Sequence, residues 1–187
     1  MYQKFCVLIS ALLLASCAAS IPYHTDYPLT TNVVHSRDGI LSGNIPQGWF
    51  SSTLDTLGAA LTILLMNDDV SATLSIRELK LDRLTSEQVN RRGLTLLAHL
   101  SQSFHLESAA GTVTEPQEFE LRGKKFCSNE ITDGSMRKRV VVFSANGRFY
   151  ECEAQTVRNN WTGDQYARMF TAQQTFLSSL TYYQASP

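Results

Sequence analysis

The chain has 187 residues, of which 43% are hydrophobic and 18% are charged. This balance is typical of one globular domain and excludes the low-hydrophobicity, high-charge composition of disordered chains. Lys and Arg together number 16 and Asp and Glu 17, so the formal net charge is −1 and no global field attracts nucleic acid.

The first segment has the organisation of an export signal. Lys4 precedes an apolar run that extends from Phe5 to Ala15. The run is shorter than the roughly 20 apolar residues that a helix needs to cross a bilayer. A cleaved signal peptide is therefore favoured over a permanent transmembrane anchor.

The residues that close this run, Leu14-Ala15-Ser16-Cys17, resemble the lipobox of bacterial lipoproteins. In that family the cysteine sulfur receives a diacylglycerol, the peptidase cuts before the cysteine, and the new amine is usually acylated with a chain such as palmitate. The resemblance implies a signal peptide over residues 1–16 and a lipid anchor on Cys17. In a bacterium with two membranes, Ala18 and Ala19, with no acidic residue after the cysteine, resemble an outer-membrane sorting signal, which implies a protein that faces the periplasm. A host with a single membrane would change this last step.

Residues 17–37 are predicted to be the lipidated cysteine and a flexible tether. Pro22 and Pro28 stand among small and polar residues, without helical or strand periodicity. His24 and His35 in this segment have no cysteine or carboxylate at metal-ligand spacing, so no metal is expected there.

Residues 38–183 are predicted to form a single globular domain that begins with short strands. A run over 39–45 ends at the turn signal Pro46-Gln47-Gly48, and Trp49 opens the next run. Two runs rich in β-forming residues, 59–66 and 71–79, are joined by Asn67-Asp68-Asp69 and predict a hairpin.

A helix is predicted over residues 86–106. Thr85 and Gln88 have the spacing of a capping box, and apolar residues follow at near-helical intervals up to Phe104. His99 and His105 are six residues apart, which separates them by about 240° around the axis. They cannot share a metal and are expected to lie at the rim or in solvent.

The second half of the chain predicts three strands and a closing helix. The strands cover about 118–126, 138–144 and 148–154, and Asn146-Gly147 between the last two is a strong hairpin signal. Thr162 and Gln165 repeat the capping-box spacing before an apolar stripe that includes Phe170 and Leu177. Packing of this stripe against the sheet is favoured over ligand binding.

The order of strands, helix, strands and helix, with hairpin connections, predicts an α+β domain built on a mainly antiparallel sheet. The early segment Ile45-Pro46-Gln47-Gly48-Trp49-Phe50, the central helix, the β-meander and the closing helix with Phe176-Leu177-Ser178-Ser179-Leu180 resemble the PsbP-like α/β/α sandwich. The resemblance covers about residues 38–182. Members of that family are extrinsic photosystem subunits, assembly factors, protein-binding modules and bacterial lipoproteins, and they are mostly not enzymes. The resemblance therefore implies a protein without catalytic activity.

The sequence contains no nucleophile elbow, zinc-protease, phosphate-loop or dinucleotide-binding motif. We therefore expect a lipid-anchored, non-enzymatic binding or assembly module with no cofactor, whose partners are the membrane and an unidentified envelope protein. The alternative is a cell-envelope hydrolase assembled from dispersed residues, for which His99 or His105 would be the base.

Cys127 and Cys152 would remain after cleavage and lipidation. An even number of thiols outside the cytoplasm suggests a disulfide. The predicted hairpin registers argue against it, because they place the two cysteines on opposite faces and on strands about 9.5 Å apart. The bond and a pair of free core thiols both remain open at this point.

Basic side chains are concentrated in two neighbouring segments and form a possible contact patch. Such a patch could bind anionic headgroups or an acidic partner, although basic residues at strand ends also discourage edge pairing. The six residues are Arg122, Lys124, Lys125, Arg137, Lys138 and Arg139.

Overall fold

The computed structural model describes residues 23–52, 60–105, 111–134, 136–158 and 160–182. The predicted signal peptide and Cys17 lie outside this part of the chain. The strands described are β1 Leu29–His35, β2 Leu41–Pro46, β3 Trp49–Ser51, β4 Leu61–Asn67, β5 Ala72–Leu79, β6 Thr112–Val113, β7 Gln117–Leu121, β8 Lys124–Asp133, β9 Met136–Ala145, β10 Arg148–Thr156 and β11 Thr181–Tyr182. The helices described are α1 Arg83–Arg92, α2 Leu94–His105 and α3 Gly163–Ser179.

Two antiparallel sheets organise these strands. The large sheet has the order β3-β4-β5-β10-β9-β8-β6, and β7 also pairs with β8. The small sheet has the order β1-β2-β11. The predicted α+β class with a mainly antiparallel sheet is confirmed.

The large sheet is covered on both faces, which makes three layers. One face packs on α3 and β2, and its core includes Phe143, Cys152 and Leu177. The other face packs on α1 and α2 around Val142 and Leu97. Alternate residues along a strand point to opposite faces, so β9 and β10 each contribute to both cores.

A row of aromatic rings crosses four strands on the α3 face. Phe119, Phe126, Phe143 and Tyr150 are direct register partners, with ring centroids 5.4 to 5.7 Å apart between neighbours. Such cross-strand pairs each contribute about 0.2–1 kcal/mol beyond alanine. Tyr23 extends the row by stacking on Phe119 at 3.9 Å.

The predicted tether is wrong for residues 23–37. Tyr23 packs on the aromatic row, the Tyr27 backbone N–H donates to Thr175 Oγ1 at 3.3 Å, and β1 pairs with β2. Residues 23–37 therefore belong to the folded domain. The docking of Tyr23 and Tyr27 has no periodic pattern in the sequence, because single aromatic residues can pack on a domain without forming a regular element.

The single helix predicted over 86–106 is also wrong, because the chain forms two helices. Gly93 separates them with a φ of 86° and a ψ of −177°, which no helix contains. The first helix is capped by Asp82, whose side chain accepts a hydrogen bond from the Thr85 backbone N–H at 2.9 Å. The Thr85 capping box was therefore misplaced.

The strand predicted over 118–126 is likewise divided in two. Arg122 and Gly123 have φ values of 50° and 76° and turn the chain between β7 and β8. Asn146 and Gly147 make the predicted turn between β9 and β10, with φ values of 51° and 74°. The capping box at Thr162 and Gln165 is also present as predicted.

Cys127 and Cys152 are free, buried thiols, so the possible disulfide is not formed. Cys127 is opposite Val142 and Cys152 is opposite Val141, so the two side chains point to opposite faces of the sheet. The β8–β9 register differs by two residues from the one expected from the sequence. Cys127 therefore has a different partner but points to the same face of the sheet. Burial raises the pKa of Cys127 to about 11 and that of Cys152 to about 12.

In the described residues, no helix is both long enough and apolar enough to cross a membrane.

Candidate functional site

A cleft opens at the end of the domain where the β2–β3 turn and the turn of the β4–β5 hairpin meet the start of α3. Its volume is about 580 Å³. One wall is formed by the β2–β3 and β4–β5 turns, and the other by Trp161 and the first two turns of α3. Its lining is Tyr27, Gln47, Gly48, Trp49, Asn67, Asp68, Asp69, Ser71, Trp161, Gln165, Arg168 and Met169.

The hairpin wall is fixed by hydrogen bonds within and between its turns. The Asp68 backbone N–H donates to the Gly48 carbonyl at 2.9 Å, and Gly48 has a φ of 78° that favours glycine. Asp69 Oδ1 accepts from the Ser71 hydroxyl at 2.6 Å and from Asn67 Nδ2 at 2.6 Å. The hydrogen bond from the Ser71 hydroxyl is the main cause of the lowered pKa of Asp69.

The helix wall carries the second tryptophan and a guanidinium group. Trp161 precedes the Thr162 cap, and its ring centroid is 5.8 Å from that of Tyr166. The guanidinium of Arg168 lies 5.8 Å from the ring centroid of Tyr27. The Tyr27 hydroxyl donates to the Gln47 carbonyl at 3.1 Å and so joins the N-terminal segment to the hairpin wall.

Two opposite charges face this cleft without pairing. Asp68 and Arg168 are both exposed, and no ion pair joins them within the residues described. The Asp68 carboxylate also accepts no hydrogen bond from that part of the chain, in contrast to Asp69. Besides Asp69, which its own turn engages, the cleft thus presents one carboxylate without a hydrogen bond from the described residues and one guanidinium, both beside aromatic rings.

A buried charge cluster lies between α2 and the large sheet, on the face of the sheet opposite to α3. Glu151 in β10 is 0% exposed and accepts hydrogen bonds from Arg77 Nε at 2.7 Å and from the Ser101 hydroxyl. His105 Nε2 lies 3.0 Å from Glu151 Oε1, and Lys138 Nζ lies 2.9 Å from His105 Nδ1. His105 is therefore not a rim or solvent residue, as the helix pattern had suggested.

Burial acts to raise the pKa of Glu151, but the surrounding donors outweigh it. Hydrogen bonds from His105 and Ser101 and the charge of Arg77 leave the pKa of Glu151 below its usual value. The carboxylate therefore stays ionised in the folded protein, and α2 is held to the sheet by this group.

The ligand atoms of His105, Glu151 and Glu153 lie close enough together to hold a metal ion, but their surroundings do not suit one. Arg77 lies 2.6 Å from the Glu151 carboxylate, and Lys138 lies near both His105 and Glu153. These cations already neutralise the carboxylates and occupy the lone pairs that a metal would need. The cluster is best described as an ion network that joins two layers.

The six basic residues of the predicted patch do not form one surface. Arg137 and Arg139 both pair with Glu130, at 2.6 and 2.7 Å, and Arg139 is buried over the Phe170 ring at 4.2 Å. Lys138 points to the other face, into the ion network. Lys124 lies at the end of β8 that is farthest from the β8–β9 turn, whereas Arg137 lies beside that turn. The β8–β9 register therefore separates the two residues by about 25 Å along the strand.

At the other end of β8, Lys124 is also engaged. Its ammonium donates to the Leu180 carbonyl and lies 5.4 Å from the Tyr182 ring centroid. Arg122 and Lys125 remain exposed. A patch predicted from sequence proximity thus consists largely of ion pairs and cation–π contacts, because alternation and hairpin geometry separate neighbours.

Sequence reasoning did not find the cleft. It identified the Pro46-Gln47-Gly48 and Asn67-Asp68-Asp69 turns and the Thr162 cap separately. The one available signal was that tryptophans stand beside two of these turns, at Trp49 and Trp161.

Two solved structures share this arrangement of layers. The solution structure of cyanobacterial PsbP (CyanoP) from Synechocystis sp. PCC 6803 matches with a TM-score of 0.50 and 13% identity, over 81% of this chain and 92% of that one. The fold is PsbP-like. The Ran-binding protein Mog1p of Saccharomyces cerevisiae matches this PsbP-like domain with a TM-score of 0.51 and 10% identity, over 83% of this chain and 96% of that one.

A weaker likeness, with a TM-score of 0.43 and 12% identity, is to LpqN, which is involved in cell envelope biogenesis of Mycobacterium tuberculosis; it spans 80% of this chain and 88% of that one. A scan against models of protein families and a search of the curated proteins each found no match. The likenesses to CyanoP and Mog1p show the fold of this domain and nothing more specific.

Proposed function

We propose that this PsbP-like domain is a non-enzymatic binding or assembly module of the bacterial cell envelope, and that the cleft is its binding site. The observation that carries the proposal is the cleft itself, where a carboxylate and a guanidinium face solvent unpaired beside three aromatic rings. A concave site with a few convergent polar groups is the default binding site of a domain. The net charge of −1 gives no support to a nucleic-acid partner.

The hydrogen bonds of the histidines support a role without catalysis. His99 contacts Gln102 at 3.2 Å, and His105 contacts Arg77, Glu151 and Lys138. None of these partners is a hydroxyl or thiol nucleophile, and the Ser101 hydroxyl donates to Glu151 instead. The hydrolase alternative therefore gains no support from the described residues.

The lipobox supports a lipid anchor on Cys17, and Ala18 and Ala19 after it support an outer-membrane position and a periplasmic orientation in a host with two membranes. Because Tyr23 is packed on the domain, only the residues between Cys17 and Tyr23 can act as a spacer. Six peptide units span roughly 20 Å at most. The domain of the lipidated protein would therefore stay close to the membrane surface, within reach of partners that reside in the envelope.

Site-specific photo-cross-linking in the living bacterium tests the cleft as a binding site. A photoreactive residue replaces Gln47, which is exposed at the cleft, or Gln88, which is exposed on α1 on the opposite side of the large sheet. We expect a discrete, light-dependent adduct from position 47 and none from position 88. The adduct should disappear when Trp161→Ala is combined with the probe.

Equal adducts from the two positions, or none from position 47, would contradict the proposed binding site. An adduct that survives Trp161→Ala would also contradict it, since the partner would then contact the rim without using the cleft.

A further inference from the structure

The geometry points to a neutral saccharide as the ligand of the cleft; this inference rests on the proposed function and specifies its ligand. The volume of about 580 Å³ lies within the usual range of roughly 300–1,000 Å³ for small-molecule sites. The charges, the remaining hydrogen-bond donors and the rings of the cleft favour this class of ligand.

The charges favour a ligand that is neutral and rich in hydroxyl groups. Asp68 can accept hydrogen bonds from hydroxyls, and Arg168 can donate to hydroxyl or ring oxygens. An anion would meet the carboxylates of Asp68 and Asp69, while a cation would meet the guanidinium of Arg168. A hydroxyl group both donates and accepts, so a polyhydroxylated ligand satisfies both sides without burying an unpaired charge.

The amide of Gln165 adds a directed donor. Its Oε1 accepts from the Thr162 backbone N–H at 2.8 Å in the capping box, which fixes the side chain and leaves Nε2 as a donor at the cleft. A group that is fixed by the fold loses little entropy when it binds a ligand.

The rings provide flat apolar surfaces between the polar groups. Trp161 is half-buried, Tyr27 is half-buried, and Trp49 is 8% exposed at the base. The C–H-bearing face of a sugar ring is apolar and stacks on such surfaces, while its hydroxyl rim reaches the polar groups. This combination of rings and hydroxyl-compatible groups distinguishes the cleft from the ion network, whose polar groups already pair with each other.

The cleft contains its own optical reporter. The chain has two tryptophans, and both Trp49 and Trp161 line the cleft, so intrinsic tryptophan fluorescence reads this site. The full mature lipidated protein is kept in a polyoxyethylene detergent, which has no sugar headgroup to compete. It is titrated separately with cellobiose, maltose and diacetylchitobiose.

We expect a saturable fluorescence change with at least one of these disaccharides. Asp68→Asn and Arg168→Gln should each weaken its binding at least tenfold while leaving the melting temperature unchanged, because both side chains are exposed. Asp133→Asn is the matched control, since Asp133 is an exposed carboxylate outside the cleft, and should bind like the unmodified protein.

Three outcomes would overturn the proposal that the ligand is a saccharide. One is the absence of any saturable change, together with no saturation-transfer NMR signal, for all three disaccharides. Another is saccharide binding that is unaffected by both Asp68→Asn and Arg168→Gln. A third is saturable binding of choline or triglycine, lost in Asp68→Asn, without saccharide binding. If the position-47 cross-link persists, the binding site stands and only its ligand class fails; if that cross-link is also absent, the proposed function fails too.

Discussion

Val70 adopts a left-handed backbone conformation in the turn between β4 and β5, with a φ of 55°. A branched β carbon makes this conformation costly, by about 1–2 kcal/mol, and the side chain gains little from packing at 45% exposure. We expect Val70→Gly to raise the free energy of unfolding by about 1 kcal/mol, measured by urea titration. Val157→Gly, at a residue that is 59% exposed and has no positive φ, should not stabilise the protein.

A decrease in stability for Val70→Gly would show that the packing of the Val70 side chain outweighs the backbone strain. Strained residues concentrate at functional sites, and Val70 stands between Asp69 and Ser71 of the cleft wall. The same variant should therefore also alter the affinity of the cleft for its ligand.

At the scale of elements, β2 and α3 approach closely at Gly43. A β carbon added there would lie 2.8 Å from Phe176 Cε2 and 3.0 Å from Leu180 Cδ2. Gly43→Ala should therefore lower the free energy of unfolding by about 1–3 kcal/mol through overpacking, measured by thermal and urea unfolding. Gly163→Ala is the control, because a β carbon there meets nothing within 4 Å; a loss of equal size in both variants would contradict the steric explanation.

The attachment of α2 to the sheet depends on the ionised carboxylate of Glu151. Its pKa is lowered in the folded protein relative to the usual 4.5, so its contribution is full above that value and is lost as the pH falls through the folded pKa. Glu151→Gln should destabilise the protein at pH 7 by about 2 kcal/mol, a figure reduced from that of a fully buried pair because Arg77 is partly exposed. The difference between the two proteins should narrow below pH 4.5.

The matched control for this pH dependence is Glu87→Gln. Glu87 is exposed and forms a surface pair with Arg83 at 3.6 Å, which contributes little. Urea titrations at several pH values measure the free energy of unfolding of the unmodified protein, Glu151→Gln and Glu87→Gln. A Glu151→Gln difference that stays constant down to pH 3 would show that its cost comes from altered packing and not from the charge.

At the scale of the whole molecule, the lipid on Cys17 would decide where the domain acts. Cys17→Ser should prevent acylation and leave uncleaved or soluble material, because attachment by two or three acyl chains is what makes membrane binding stable. Membrane fractionation and the mass of the N-terminal peptide measure this. Unchanged fractionation, with no acyl mass on the unmodified protein's N-terminus, would refute the lipoprotein prediction.

Strong local signals were sufficient to predict much of the architecture. Asn146-Gly147 predicted its hairpin, and Thr162 with Gln165 predicted the start of α3, because each pattern satisfies backbone groups within a few residues. The order of strands, helix, strands and helix, with hairpin connections, predicted the mainly antiparallel class. The prediction failed where one or two residues interrupt a helix or a strand. Gly93 separates α1 from α2, and Arg122-Gly123 separate β7 from β8, but isolated glycines also occur inside regular elements and so do not mark an interruption.

The sequence by itself determined the antiparallel α+β class, three turns between strands, the cap of α3 and the expectation of a lipid anchor, since all of these depend on short-range patterns. Only the tertiary structure decided which side chains share a site. The cleft joins Tyr27, Trp49, Asp68 and Arg168, and the ion network joins Arg77, His105 and Glu151. These residues are far apart in the chain, and they meet because strand register and layer packing fix their positions, which no local pattern encodes.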